Sequence, residues 1–317
     1  MTTTVLEVRD VTVRFGGVVA VNQASLTIKQ GELIGFVGPN GAGKSTTIRM
    51  MMSIIHPDSG NIQVLDTSAL EAKDHIGYLP EERGVYRKMK VGTFIQYIAN
   101  LKGIRGPGLK RDIDNWLDRV ELPGVKKKRC EELSKGMQQK VQFIASIIHN
   151  PELIILDEPF SGLDPLNTQT IGSIIHELHR EGKTIIFSTH VLQQAEEICD
   201  RIVMIDKGRK VIDDEINHVH EAHNPNLIQV FPLDLNVDFT SLPEVEHQTL
   251  TKEEDAYHLK LTAGADPIKV IQTIAGSTPI KGIEILKPTL TEIFINKVAE
   301  TDGQDAAKAT REQLTNA

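Results

Sequence analysis

The chain has 317 residues, 40% hydrophobic and 25% charged, an ordinary globular mixture long enough for about two domains. Lys+Arg of 35 against Asp+Glu of 43 leave a net charge of −8, which argues against a surface that wraps nucleic acid. Cys130 and Cys199 are too few for a disulfide framework, the opening ten residues lack the character of a secretory signal, and no apolar run approaches the ~20 residues that span a bilayer.

Residues 5–15 alternate well enough for a strand, with Val11, Val13 and Phe15 on one side. Residues 25–28 and 33–37 read as two further strands, divided by the turn residues Gln30 and Gly31. Ile48, Met51, Met52 and Ile55 then recur at helical spacing until Pro57 stops the helix. From about residue 91 to 150 the pattern is helical, with a basic run at 126–129 that reads as an exposed face. Residues 153–156 and 184–188 are short and wholly apolar, the pattern of strands buried on both faces. This alternation over the first ~220 residues predicts an α/β layer architecture.

Composition shifts after residue 214. Residues 218–226 are rich in His, Asn and Pro and read as a linker. His218, His220 and His223 within it read as solvated linker, because no carboxylate or Cys geometry there supports a metal cluster. Strands at 227–231, 257–261 and 282–286, with a helix at 267–275, predict a small C-terminal α+β domain over 227–300. Thr289 and Glu292 have the spacing of a capping box that opens a helix carrying Ile293, Phe294 and Val298. The polar stretch 301–317 reads as a mobile tail.

The strongest chemical signal is the run Gly38, Pro39, Asn40, Gly41, Ala42, Gly43, Lys44, Ser45, Thr46, which fits G-x-x-x-x-G-K-S/T between a strand and a helix. Its glycines let backbone N–H groups turn inward around phosphate oxygens, at the positive end of a helix dipole. Lys44 supplies a point charge to the β- and γ-phosphates, and the Ser45 hydroxyl a ligand for Mg²⁺. The apolar strand at 153–156 ends on Asp157 and Glu158. Asp157 is placed to reach the same metal, and Glu158 to accept a proton from an attacking water. Alone, two acids after a strand could equally be solvated; beside a phosphate loop they form one site. Asp157 follows Lys44 by 113 positions, more than one strand–helix–strand step, so the helical stretch at about 85–150 is an inserted subdomain.

At the end of that insertion, Leu133, Ser134, Lys135, Gly136, Met137 and Gln138 resemble the L-S-G-G-Q signature of ATP-binding cassette (ABC) proteins. Residues 161–164 resemble the family's D-loop, Ser188, Thr189 and His190 its switch histidine, and residues 77–81 occupy the Q-loop position. The resemblance covers about residues 5–214 in the right order. It implies a P-loop NTPase with a RecA-like core, an antiparallel β subdomain and a helical subdomain over 1–217. Phe15 stands where the family stacks an aromatic on adenine, although its strand pattern also suits a core side chain. The wording of residues 79–84 and 133–136, with the small C-terminal domain, is similar to the sodium-extrusion (NatA-like) type. Three positions depart from the pattern: Glu81 replaces the usual Gln yet still suits Mg²⁺, Lys135 replaces a Gly, and Met137 replaces a Gln.

The resemblance implies ATP and Mg²⁺ as ligands and hydrolysis as the reaction. It further implies that Ser134 and Gly136 of a second ATPase subunit cover the γ-phosphate, that His190 holds that phosphate, and that a membrane-spanning permease is the partner. Residues 81–90 would report the nucleotide state to it. The expected setting is the cytoplasmic face of the membrane, with export the favoured direction and cargo chosen elsewhere. The rival is a soluble ABC ATPase acting on ribosomes or DNA, but the tandem cassettes or long coiled-coil insertion of those members are absent from this sequence.

Overall fold

Two long strands, β1 (Thr4–Phe15) and β2 (Val18–Lys29), pair antiparallel across a turn at Gly16 and Gly17, with Gly16 at φ 59°. The second strand starts earlier than the sequence pattern suggests, because exposed Val18 and Val19 pair with Phe15 and Arg14. The next strand, β3 (Leu33–Val37), is buried at every position and leads through the phosphate loop into α1 (Lys44–Met51). That helix stops well short of Pro57: Met52 caps it and Ser53 turns to φ 53°. Then β4 (Ser59–Val64) joins the free side of β1, giving a three-stranded antiparallel sheet in the order β2-β1-β4.

A second sheet starts with β5 (Ile76–Leu79), after which the chain runs through three helices, α2 (Val91–Leu101), α3 (Leu109–Arg119) and α4 (Lys135–Ile147). It returns as β6 (Leu153–Asp157), α5 (Pro165–Arg180), β7 (Thr184–Thr189), α6 (Leu192–Ile198), β8 (Arg201–Asp206) and β9 (Arg209–Glu215). Asp164 accepts the Asn167 N–H at 2.9 Å and Pro165 follows it, a helix start whose cap and preset φ both favour α5. The six strands lie in the order β5-β6-β7-β3-β8-β9, parallel except for β9. The two sheets share one core, in which Leu6, Val8 and Ile28 of the first meet Ile34, Phe36 and Ile155 of the second around Ile48 and Met51. Both faces of β3, β6 and β7 are therefore covered, as their unbroken apolar runs require.

The structure is a computed structural model that describes residues 3–82, 84–224, 226–251 and 255–315. Arg83, within the 81–90 segment, Pro225, within the expected linker, and the last two residues of the expected tail lie outside the described residues. The chain divides into two units, Met1–Ile216 with Phe294–Ala317, and Asn217–Ile293. The expected linker is partly helical, as α7 (Ile216–Ala222), with Val219 2% exposed. In the second unit β10 (Leu227–Pro232), β11 (Val245–Thr251), β12 (Ala256–Leu261), α8 (Pro267–Ser277) and β13 (Ile280–Leu286) form a four-stranded antiparallel sheet in the order β11-β12-β10-β13 with one helix. Its core gathers Ile228, Val230, Tyr257, Leu259, Val270 and Ile274.

The capping box at Thr289 is formed, with the Thr289 N–H donating to Glu292 at 2.8 Å and the Glu292 N–H to Thr289 Oγ1 at 3.2 Å. It opens α9 (Leu290–Asp302), whose residues from Phe294 onward group with the first unit rather than the second. The expected tail is α10 (Gln304–Thr315), with Ala307 and Thr310 buried. Its Ala, Lys, Gln and Arg content favours a helix, and a polar composition hid a narrow face at 307, 310 and 314. No helix among the described residues is long and apolar enough to cross a membrane.

Candidate active site

Parallel strands end in register, and that alignment builds the site. Val37 pairs with Thr189, Asp157 with Ser188, and Leu79 with Leu156, so the residues following β3, β5, β6 and β7 emerge along one sheet edge. Such carboxyl-terminal edges are where open α/β sheets place their ligands. The loop after β3 holds its shape through glycines that no other residue could replace. A Cβ on Gly38, at φ 154°, would lie 2.1 Å from the Ile205 carbonyl oxygen. One on Gly43, at φ 105°, would lie 2.6 Å from that of Ala20. Gly208 supports the loop from behind by donating its N–H to the Ala42 carbonyl at 2.7 Å.

Lys44 is 6% exposed, and its Nζ folds back to donate to the carbonyls of Gly38 at 2.7 Å and Pro39 at 3.2 Å. Burial pushes its ammonium pKa down, and the charges of Glu158, Asp157 and Glu81 oppose that fall. Those three carboxylates therefore gather around the same cation. The Asp157 carboxyl, 2% exposed, is pushed up by burial; nearby Ser188 and Ser45 oppose the rise, while Glu81 and Glu158 add to it. Its Oδ1 is buried without a hydrogen-bond partner among the described residues. A buried orphan oxygen costs about 1–3 kcal/mol, so the site is built for a further ligand. Asp157 and Glu81 carboxylates with the Ser45 hydroxyl are the hard oxygen donors that suit Mg²⁺. Beside them, burial and the Asp157 charge push the Tyr78 hydroxyl up to about 12, which keeps it neutral.

Glu158 sits at φ 52°, a left-handed conformation that non-glycine residues adopt only when the surroundings impose it. What imposes it is a hydrogen-bond cage. Its Oε1 accepts the His190 N–H at 2.9 Å and lies 2.6 Å from His190 Nδ1; its Oε2 accepts from Thr189 Oγ1 at 3.2 Å. The bond to Glu158 pushes the His190 imidazole pKa up, against its partial burial. Thus Lys44, Asp157, Glu158, His190 and Glu81 lie together.

Ser134 and Gly136 stand elsewhere. Ser134 caps α4 by accepting the Met137 N–H at 3.2 Å. The two residues line an open groove of about 780 Å³ with Lys135, Lys140, Asp164 and Asn167, and no phosphate-loop residue lines it. Phe15 is 53% exposed at the end of β1, which excludes the core reading and leaves its ring face available. The basic run at 126–129 is largely surface: Lys126 bonds Asp114 at 2.7 Å. No cluster of three or more His, Cys, Asp or Glu side chains suited to a metal occurs among the described residues, the linker histidines included.

Sequence reasoning missed Thr189 as a Glu158 ligand and the amides of Gln139 and Gln142 on α4. Gln142 donates to the Glu82 carbonyl at 3.3 Å and accepts the Gly84 N–H at 3.1 Å. The signal was present: an amide between Val141 and Phe143 interrupts an otherwise apolar run, and buried polar groups need partners.

Known proteins share the family and fold of this chain. A family described as ABC transporter matches residues 21–161, and one described as ATP-binding protein DrrA1-3-like, C-terminal domain, matches 215–298. YhaQ of Bacillus subtilis, an uncharacterized ABC transporter ATP-binding protein, is 36% identical over 92% of this chain and 98% of its own. The ABC transporter ATP-binding protein NatA of the same organism is 35% identical over 70% of this chain and 89% of its own. A solved structure of the ATP-binding subunit of an ABC transporter superposes with a TM-score of 0.64 at 27% identity, covering 69% of this chain and 92% of that one. A phosphate loop facing paired carboxylates, joined to both matching families in one chain, makes this protein a member of the ABC transporter ATP-binding proteins, and an ATPase.

Proposed function

We propose that the chain powers a membrane permease as one of two ATPase subunits, with each ATP held between the phosphate loop of one copy and the signature groove of the other. One observation carries this reading: Lys44, Asp157, Glu158 and His190 share a sheet edge, while Ser134 and Gly136 line a separate groove. A phosphate loop alone grips the triphosphate from one side. A second copy's Ser134 hydroxyl and the backbone beside Gly136 then supply the missing donors to the γ-phosphate.

In this site Lys44 leaves the Gly38 and Pro39 carbonyls and neutralises the β- and γ-phosphate oxygens. Ser45, Asp157 and Glu81 would hold Mg²⁺, which would supply positive charge to screen those oxygens. Glu158 orients the attacking water and accepts its proton, an in-line arrangement in which positioning does most of the work. As the imidazolium, His190 donates Nδ1–H to Glu158, which keeps that carboxylate aimed, and leaves Nε2–H to donate to the γ-phosphate. Phe15 offers its exposed face to the adenine.

A permease contact is supported by the helical insertion. Tyr86 is 52% exposed and packs edge-on against Tyr97 of α2, 40% exposed, and Leu101, 61% exposed, follows one turn later on that helix. Such grouped apolar surface is what a partner covers. Export is favoured by the resemblance of residues 79–84 and 133–136 to the sodium-extrusion type. The test is Glu158→Gln. ATP should still bind and drive two copies together on a sizing column, while turnover falls about 10²–10⁴-fold. Unimpaired turnover would remove Glu158 from this role.

A further inference from the structure

Helix α4 does more than present Ser134. Two amides three residues apart, hence on one helix face, reach the loops that carry the site's carboxylates. Gln139, 2% exposed, donates to the Pro159 carbonyl at 3.3 Å, one residue beyond Glu158. Gln142, 5% exposed, accepts the Gly84 N–H at 3.1 Å and donates to the Glu82 carbonyl at 3.3 Å, with the Pro80 carbonyl at 3.5 Å. These bonds bracket Glu81. The Glu81 side chain makes no hydrogen bond among the described residues, so its position follows from the backbone that Gln142 holds.

The helix between these points is continuous. Ser134 at its cap and Gln142 are separated by about 12 Å of regular α-helix, buried from Gln139 through Ile147. A buried helix shifts as one body, because a close-packed core does not deform gradually.

We infer that Gln142, assisted by Gln139, makes α4 a rigid link by which engagement of the signature groove repositions Glu81 and Glu158 in the same chain. Gln142 is a positioning residue: it touches neither nucleotide nor metal and acts through the Glu81 loop. The inference rests on the two-copy reading above. There, the groove of each copy receives the ATP held by the other, so the link makes each site sense whether its neighbour is filled. Glu81 is the position at which the sequence departs from the family's Gln, and a carboxylate beside Lys44 and Asp157 is sensitive to small displacements of its loop.

The experiment uses the full-length chain and three forms, wild type, Gln142→Leu and Gln142→Glu. Affinity for a fluorescent ATP analogue, kcat, and the Hill coefficient for ATP are measured, with Tm as the control for folding. Gln142→Leu is expected to bind the analogue within about twofold of wild type, to lose about tenfold or more in kcat, and to drop from a Hill coefficient above one to one. Gln142→Glu keeps the acceptor for Gly84 and regains a donor only when protonated. Its kcat relative to wild type should therefore climb as pH falls from about 8 to about 6. A merely structural amide would lower Tm and kcat together without that pH-dependent rescue. Wild-type cooperativity retained in both variants would overturn the link alone. A Hill coefficient of one in the wild-type chain would contradict the two-copy reading and the link with it.

Discussion

At the sheet edge, Lys44, Asp157 and Glu158 are each at most 7% exposed, and their partners are already in place. At the signature groove, Ser134 and Lys135 are exposed and Gly136 is half-buried; Lys135 has neither an ion pair nor a hydrogen bond among the described residues. Both regions carry recognisable motifs, although Lys135 and Met137 depart from the pattern at the groove. The buried edge concentrates charge in a medium where each charge counts for more, and it holds an orphan oxygen that calls for a ligand. The groove is a surface whose polar groups remain hydrated until something covers them. In the proposed two-copy reading, one region is a preorganised half-site and the other its complement.

The largest effect is expected at the edge. Replacing Lys44 with Ala removes the cation around which three carboxylates gather, and turnover should fall by about 10²–10³-fold with ATP binding weakened alongside. Titration with a fluorescent nucleotide checks this. Undiminished binding would mean that the glycine loop grips phosphate without its lysine, and the contrast between the two regions would lose its chemical basis.

A smaller effect comes from pH. His190 titrates above its ordinary 6.5 because it bonds Glu158, so the folded state holds the proton more tightly than the unfolded chain. The stabilisation is complete below about 6.5 and is lost as pH rises through the elevated folded value. The His190 imidazole resonances should show a midpoint above 6.5, moving down in Glu158→Gln. A midpoint at or below 6.5 in the wild type would mean that the pair does not form, leaving the Glu158 backbone strain without its hydrogen-bond cage.

The edge was the more legible region because its chemistry tolerates few substitutions. Only glycine fits beside the Ile205 and Ala20 carbonyls, and only buried apolar strands can carry Asp157 and Thr189 to one line. The fold's main sheet announced itself through β3, β6 and β7, whose runs are apolar throughout. The edge strands did not. The exposed, polar β9 and β11 owe their form to neighbours, β8 and β12, rather than to a pattern of their own. The helices α7 and α10 were hidden by His, Asn and charged residues around a few buried positions, Val219, Ala307 and Thr310. Gln142 was hidden for a different reason, since its partners are backbone groups about 60 residues earlier in the chain.

The central claim, that each ATP site is completed by a second copy, is tested most directly by mixing two inactive chains. Lys44→Ala lacks a working phosphate loop, and Ser134→Arg blocks the groove that should cover its neighbour's ATP. Each alone should be nearly inert. Mixed in equal amounts, half of the randomly formed pairs carry one intact composite site, so turnover should rise above that of either variant alone, to at most about a quarter of wild type. No recovery on mixing, or full turnover by Ser134→Arg alone, would contradict the claim.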